Sequence, residues 1–134
     1  MSEPVFLTLE EVKLIHENQI RLYGGSLGIR DESALLSALE APRWAYQYGQ
    51  TDLVELAAVY FYHLMMNHAF TDGNKRVGTV AALLFLDLND CWLEMPDGEL
   101  EQLALQVAAG EVAKEEIASR MRPYVTCAGE EEHA

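Results

Sequence analysis

The sequence has little positive charge. Lysine and arginine together number 9, against 22 aspartates and glutamates, which gives a net charge of -13 at pH 7. Nucleic acids and anionic membrane surfaces attract proteins through clustered cations, so this balance argues against direct binding to either one. An acidic surface suits solubility and also suits a partner with basic residues. Because cations are scarce, a place where two of them are adjacent is informative.

Cysteines and long hydrophobic runs are also scarce. Cys91 and Cys127 lie far apart and form no CxxC pattern, and the first four residues do not resemble a signal peptide. These features predict a reduced, cytoplasmic setting. The apolar run from Leu53 to Phe70 is interrupted by Glu55 and two histidines, so we expect no transmembrane segment.

Apolar residues follow helical spacing along most of the chain, and strand signals are nearly absent. Half of the residues are apolar, and a chain of this length buries about two-thirds of the surface that it exposes when unfolded. We therefore expect an all-α protein, a compact bundle of about six helices. Residues 1–128 form the single domain, and residues 129–134 form a loose acidic tail.

Polar residues mark the starts of the first three helices. Thr8 and Glu11 form a capping box, Asp31 or Ser33 caps the second helix, and Asp52 opens the third. The third helix is apolar on most of its sides, so we expect it at the centre of the domain.

Helical spacing also assigns single side chains to the core or to the surface. The second helix is expected to end or bend near Pro42. His16 is expected at the surface, and residues 91–95 can form a short extended piece without a visible pairing strand. We expect Trp44, Tyr46 and Tyr48 to pack over the core; the alternative is that they line a nucleotide or peptide groove. The other residues expected inside are Val12, Ile15, Leu22 and a hydrogen-bonded His63.

The stretch from His68 to Arg76 contains a candidate base, a carboxylate, a glycine and two cations. The segment after it predicts an amphipathic helix with Asn74 at or near its N-cap, and Gly73 lets the backbone turn into that helix. The first amides of a helix lack internal partners and favour an anion. Lys75 and Arg76 add two full positive charges, so phosphate is the expected ligand.

His68 and Asp72 supply the chemistry of this stretch. A neutral imidazole can take a proton from a hydroxyl group, and a carboxylate can hold Mg²⁺ on phosphates. Together they predict transfer of a phosphate-containing group to a hydroxyl; the alternative is a polar helix-loop-helix turn without a function. Residues 24–28 are glycine-rich but lack the Lys-Ser/Thr of a P-loop, so we interpret them as a turn.

These residues resemble the signature of the Fic/Doc family in its Doc (death-on-curing) form: His68-x-Phe70-x-Asp72-Gly73-Asn74-Lys75-Arg76. The Fic form has a second glycine at the position of Lys75 and belongs mostly to AMP transferases. In the Doc form the γ phosphate of the nucleotide faces the acceptor, which implies a kinase. The similarity begins near Tyr23-Gly24-Gly25, continues to about Pro123, and implies the Fic/Doc helical fold.

The resemblance also implies a role for each residue of the motif. His68 is the general base, Asp72 binds Mg²⁺, and Phe70 anchors the loop. ATP and Mg²⁺ are the implied substrate and cofactor. The residues implied to bind the nucleotide phosphates are Gly73, Asn74, Lys75 and Arg76.

Three positions depart from the family pattern. Ala69 stands where the Fic form has proline, which makes the loop less rigid without removing a chemical group. Thr79 stands where the Fic form has a second arginine, which argues against AMP transfer. Met66 stands where some Doc proteins have an arginine, so less phosphate charge is neutralised here.

The resemblance implies a toxin of a bacterial toxin-antitoxin module. Its kinase target would be a threonine of elongation factor Tu, whose modification blocks translation. The antitoxin would insert a helical tail into a groove of the toxin, and the pair can act on its own operator. Two alternatives stay open: a Fic-type AMP transferase, and a weakly active or inactive module that binds the antitoxin or co-regulates the operator.

Overall fold

The computed structural model describes residues 3–96 and 98–131. Six helices form a bundle, and a seventh helix of four residues lies at the C-terminal end of the described chain. Two one-turn 3-10 segments, Lys114–Glu116 and Arg122–Tyr124, lie directly before and after the sixth helix. The expected all-α bundle is thus confirmed, with one small sheet added. In chain order the elements are α1 (Leu9–Tyr23), α2 (Glu32–Gln47), α3 (Leu53–Met66), α4 (Asn74–Leu88), β1 (Cys91–Leu93), α5 (Glu99–Ala108), α6 (Ile117–Met121), β2 (Val125–Cys127) and the short α7 (Ala128–Glu131).

The helices begin where the capping residues predict. The Thr8 hydroxyl accepts a hydrogen bond from the Glu11 amide at 3.2 Å, and the Glu11 carboxylate accepts one from the Thr8 amide at 2.8 Å. Asp31 and Asp52 accept hydrogen bonds from the first turns of α2 and α3. Each cap satisfies amides that have no partner inside their helix, which fixes the start of the helix.

The central helix of the bundle is α3, as its apolar sequence predicts. It packs against α2 on one side and α4 on the other. The backbones of α3 and α4 approach so closely at Gly78 that a Cβ atom there would lie 2.8 Å from the Phe61 carbonyl oxygen. This contact fixes the position of α4 on α3 and therefore of the loop between them. The buried side chains of α3 are Val54, Leu56, Ala57, Ala58, Tyr60, Phe61, Leu64 and Met65.

The second helix does not end near Pro42, and the alternative of a bend there stays a prediction. The helix continues through Pro42 to Gln47, and Pro42 itself is buried. A proline inside a helix removes one backbone hydrogen bond. Trp44 and Tyr48 were expected inside, but they stack on each other at the surface and are 52% and 83% exposed. Only Tyr46 of this group packs against the core.

The predicted exposure of two side chains of α1 is also wrong. Leu22 is 61% exposed, whereas His16 is only 3% exposed. The buried face of α1 follows Val12, His16 and Ile20, which are spaced four residues apart and therefore lie on one side of a helix. His63 is half-buried rather than internal, although it is hydrogen-bonded as expected, to Lys114.

The two cysteines are joined. β1 pairs antiparallel with β2, and Cys91 lies directly opposite Cys127. The two sulfur atoms form a disulfide across a sequence separation of 36 residues. The expectation of two reduced cysteines therefore fails, because it rested on their distance along the chain, which says nothing about distance across a strand pair. The extended piece expected at residues 91–95 thus has a pairing strand.

The C-terminal end contains the short helix α7 (Ala128–Glu131). It includes residues 129–131 of the predicted acidic tail, and residues 132–134 of that tail lie outside the described residues. None of the helices in residues 3–96 and 98–131 has the length and apolar character needed to cross a membrane.

Candidate functional site

The candidate site is built on the loop between α3 and α4, residues 67–73. His68 is exposed and has a φ of 50°, a left-handed conformation that is uncommon for residues other than glycine. Its carbonyl oxygen accepts a hydrogen bond from Arg30 Nε at 2.9 Å. Such a backbone persists only when its surroundings hold it, and these positions concentrate at functional sites.

Asn74 holds this loop to the first turn of α4. Its Oδ1 accepts a hydrogen bond from the Phe70 amide at 3.0 Å, and its Nδ2 donates to the Phe70 carbonyl at 3.0 Å. The Phe70 ring is buried, which suits the predicted role of an anchor. The role of Asn74 in binding phosphate stays a prediction: Phe70 occupies Oδ1 and one hydrogen of Nδ2, and the second hydrogen of Nδ2 is still a donor. The backbone amide of Asn74 can also face an anion.

Asp72 presents its carboxylate at the mouth of the site. Oδ1 accepts a hydrogen bond from the Gly73 amide at 2.8 Å, and Oδ2 accepts one from the Ser26 amide at 3.2 Å. Gly25 lies so close that a Cβ atom there would be 2.6 Å from Asp72 Oδ2. The carboxylate is exposed and each oxygen has a lone pair left, so it is oriented and still able to bind a cation.

The two adjacent cations lie in the first turn of α4. Lys75 is exposed, and Arg76 donates from Nη1 to the Gln19 carbonyl at 3.1 Å. Within the described residues, neither side chain forms an ion pair with a carboxylate. With the first amides of α4 beside them, both charges are available to an anion at this helix terminus.

A cleft of about 390 Å³ brings the predicted groups together. A second cleft, between α1, α4 and α5, shares Lys75 and Arg76 with it. Met66, the position that departs from some Doc proteins, contributes an uncharged thioether to the first cleft. The members of the motif that line the first cleft are His68, Asp72, Gly73, Asn74, Lys75 and Arg76.

A magnesium ion is compatible with this site only together with phosphate. No group of three or more histidine, cysteine, aspartate or glutamate side chains in the described part of the chain can hold a metal. Mg²⁺ is usually bound by one or two carboxylates with substrate phosphates and water. Asp72 supplies one carboxylate, so its donor set fits a phosphate-bound ion and does not fit a resident metal.

The segment from Gly28 to Arg30 pairs with the loop that carries the site. Thr71 N donates to the Gly28 carbonyl at 3.1 Å, and Arg30 N donates to the Ala69 carbonyl at 2.8 Å. Ala69 is fully buried, and these hydrogen bonds hold its backbone although it lacks the ring of proline. The sequence predicted only a turn before this segment, whereas the structure pairs the segment with the loop.

Four residues of the site were missed from the sequence: His16, Gly25, Ser26 and Arg30. His16 could have been found, because it is one helical turn after Val12 and one before Ile20 on the buried face. The contacts of Gly25 and Ser26 with Asp72 have no local signal, since more than 40 residues separate them. Thr79 was identified as a departure, and its hydroxyl donates to the Lys75 carbonyl at 2.9 Å.

Comparison with known proteins gives two matches. The model of the Fic/DOC family matches residues 6–86, which contain α1 to α3 and the loop and most of α4. The chain is also 32% identical over 111 residues to a protein named Toxin Doc from Mycolicibacterium smegmatis. That alignment covers 79% of this chain and 85% of the relative. The family match includes the whole loop between α3 and α4.

Proposed function

The chain belongs to the Fic/DOC family, and we propose that it is a Doc-type toxin that transfers the γ phosphate of ATP to a protein hydroxyl. One observation carries this proposal. An exposed imidazole, an oriented carboxylate and two cations that pair with no carboxylate of the described residues line a single cleft at the N-terminus of α4: His68, Asp72, Lys75 and Arg76.

His68 is the general base of the proposed reaction. Its imidazole takes the proton of the acceptor hydroxyl as the hydroxyl oxygen forms a bond to the γ phosphorus. The bond from the γ phosphorus to the bridging oxygen breaks, and ADP leaves with that electron pair. A positioned base of this kind accelerates a reaction by about 10²–10⁴-fold. His68→Ala should therefore remove most of the activity and leave the fold intact, because the side chain is exposed.

Asp72 is the proposed carboxylate ligand of Mg²⁺ on the ATP phosphates. When bound, the ion would offset the negative phosphate charge that Lys75 and Arg76 do not neutralise. Asp72 is exposed and held by the Ser26 and Gly73 amides, so an amide in its place can occupy a similar position. Asp72→Asn should abolish Mg²⁺-dependent turnover, and turnover at the wild-type rate would remove this role.

Lys75 supports a kinase over an AMP transferase. In the resembling Fic form this position is glycine, and here an ammonium group reaches the cleft. We expect Lys75→Gly to lose γ-phosphoryl transfer. A gain of AMP transfer by this variant would identify Lys75 as the group that sets the orientation of the nucleotide. Unchanged phosphorylation by Lys75→Gly would contradict the proposed role.

We propose that the acceptor is a threonine of elongation factor Tu and that the protein acts in the cytoplasm, where that factor works. Its antitoxin would insert a helical tail into a groove of the toxin and restrain it. The similarity to a protein named Toxin Doc supports the toxin role. The net charge of -13 makes direct binding of nucleic acid by the isolated chain unfavourable, so contact with an operator would require the antitoxin.

A second candidate is a module that binds its antitoxin with little or no catalysis. Met66 favours it, because an uncharged side chain lines the cleft at a position where some Doc proteins have arginine. Growth separates the two candidates. Expression without the antitoxin should arrest cells if the chain is an active toxin, and His68→Ala should relieve the arrest. Equal arrest by wild type and a folded His68→Ala would favour the binding module.

A further inference from the structure

His16 is a buried histidine on α1 that contacts the loop of the candidate site. Its Nε2 lies 2.8 Å from the carbonyl oxygen of Asp72. Its ring stacks on the Phe70 ring, with centroids 4.0 Å apart and planes 12° apart. Burial of a polar group costs free energy unless the group is hydrogen-bonded, so the contact with Asp72 helps to keep this imidazole inside.

The direction of this hydrogen bond follows from its acceptor. A carbonyl oxygen can only accept, so Nε2 of His16 carries the hydrogen and donates it. The acceptor belongs to the peptide group between Asp72 and Gly73. The nitrogen of the same peptide group donates to Asp72 Oδ1 at 2.8 Å. One peptide plane therefore connects the ring of His16 to the carboxylate of Asp72.

The same peptide plane leads into α4. Gly73 is the N-cap residue of α4 and has a φ of 82°. A rotation of the plane would turn the Gly73 amide away from the carboxylate and change the direction of the first amides of the helix. The contact with Phe70 fixes the plane of the His16 ring, and Asn74 holds the Phe70 backbone. His16 thus controls the orientation of two parts of the site without entering the cleft.

We propose that His16 is a positioning residue that holds the Asp72–Gly73 peptide in the orientation required for phosphoryl transfer. The kinetic consequence rests on the proposed kinase function, whereas the structural consequence can be measured without it. The opposing view is that His16 only fills space in the core, through the stacking of its ring on Phe70.

Two variants separate the donor from the ring. His16→Phe keeps an aromatic ring for stacking and loses the donor, and His16→Gln keeps an N–H donor and loses the ring. Val12→Ala is the matched control, because Val12 is also buried on the same face of α1, one turn earlier. It lowers packing in the bundle and leaves the bond to Asp72 in place. Thermal unfolding of the three variants measures how much each change destabilises the fold.

The structural test is the ¹⁵N–¹H resonance of the Gly73 amide in the full chain. We expect His16→Phe to shift this resonance far more than Val12→Ala does, since only His16→Phe removes the bond to the adjacent carbonyl. His16→Gln should give a resonance closer to wild type. If His16→Phe leaves the Gly73 resonance at its wild-type position, the proposal is overturned.

The kinetic test is phosphoryl transfer from ATP with Mg²⁺. A small misplacement of groups in a site can lower a rate by on the order of 10²-fold. We expect a loss of this size in kcat for His16→Phe, with KM for ATP little changed, and partial recovery in His16→Gln. Wild-type kcat in a folded His16→Phe would overturn the catalytic part. If the wild-type protein transfers no phosphate, the kinase function fails, and the Gly73 resonance alone decides the role of His16.

Discussion

The two ends of α4 are each held by an asparagine that binds the backbone of another segment. At the N-terminal end, Asn74 accepts from and donates to the backbone of Phe70, with both distances 3.0 Å. Just past the C-terminal end, Asn89 accepts from Val5 N at 2.8 Å and donates to the Val5 carbonyl at 3.0 Å. The same side chain makes the same pair of hydrogen bonds at both ends.

The surroundings of the two asparagines differ. Beyond Asn89 the chain enters β1, where the disulfide joins Cys91 to Cys127. Around Asn74 lie the exposed charged groups Asp72 and Lys75 and the loop that carries His68. The C-terminal end of α4 leads into covalent and β-sheet contacts, whereas the N-terminal end is held by the polar contacts of Asn74 and by the buried ring of Phe70. The same pair of asparagine hydrogen bonds therefore supports the fold at one end of α4 and shapes the candidate site at the other.

The largest effect on stability is expected at the C-terminal end, from reduction of the Cys91–Cys127 disulfide. A disulfide across a loop of this length contributes about 2–4 kcal/mol, chiefly because it restricts the unfolded chain. Reduction should lower the free energy of unfolding by that amount and leave phosphoryl transfer by the folded protein unchanged. Denaturant unfolding with and without a dithiol reductant measures it, and the Cys91→Ser, Cys127→Ser double variant is the control.

Loss of phosphoryl transfer on reduction, in protein that is still folded, would contradict the claim that the two ends of α4 have separate roles. The two ends of α4 would then be coupled, and the disulfide would regulate the site. The double variant would have to show the same loss under both oxidising and reducing conditions.

The next effect compares the two asparagines directly. Asn74→Ala frees the Phe70 backbone and should lower kcat by on the order of 10²-fold, which corresponds to about 2.7 kcal/mol in the transition state. Asn89→Ala should leave kcat unchanged. Each substitution removes two or three hydrogen bonds, with a net contribution of about 0.5–1.5 kcal/mol each, so both variants should lose similar stability.

Steady-state phosphoryl transfer and denaturant unfolding of both variants measure this difference. Equal kinetic losses in Asn74→Ala and Asn89→Ala would show that the two ends of the helix are not distinct. Full activity in Asn74→Ala would show that the two hydrogen bonds from Asn74 to the Phe70 backbone are not required for phosphoryl transfer.

The smallest effect concerns the pH dependence of stability. His63, on α3, accepts a hydrogen bond from Lys114 Nζ at 3.0 Å. Burial, and second the Lys114 charge, lower the pKa of His63 from its ordinary value of 6.5. The unfolded chain then binds more protons than the folded chain below about that pH. The contribution of neutral His63 to the free energy of unfolding is therefore complete above about pH 6.5. It is lost as the pH falls from 6.5 through the pKa of His63 in the folded protein.

His63→Gln should therefore flatten the decline of unfolding free energy between neutral and mildly acidic pH. Denaturant unfolding across this pH range, with the wild-type protein as the control, measures the change in slope. An unchanged slope in His63→Gln would show that other groups cause the decline.

The sequence predicts those features that depend on neighbouring residues. Thr8, Asp31 and Asp52 mark the helix starts because a cap acts within three residues. The apolar faces of α3 and α4 follow from spacing, and the motif from His68 to Arg76 is local by nature. These local signals are sufficient to predict the helical bundle and the position of the candidate site within it.

Some of the features that were missed depend on contacts between distant segments. Cys91 meets Cys127 through a strand pair of only three residues, too short to give a sequence pattern. The contact of Asn74 with the Phe70 backbone lies within one loop, and it depends on how that loop turns back on itself. His16 was predicted at the surface, although its spacing from Val12 already indicated the buried face.

The central claim is tested most directly by ATP labelled separately on its α and γ phosphates. The purified protein is incubated with elongation factor Tu and Mg²⁺, and His68→Ala is the control. We expect γ label on the factor with wild-type protein and none with His68→Ala, since the variant lacks the proposed base. Transfer of the α label would contradict the kinase and identify an AMP transferase, and γ transfer by His68→Ala at the wild-type rate would contradict the assignment of the base.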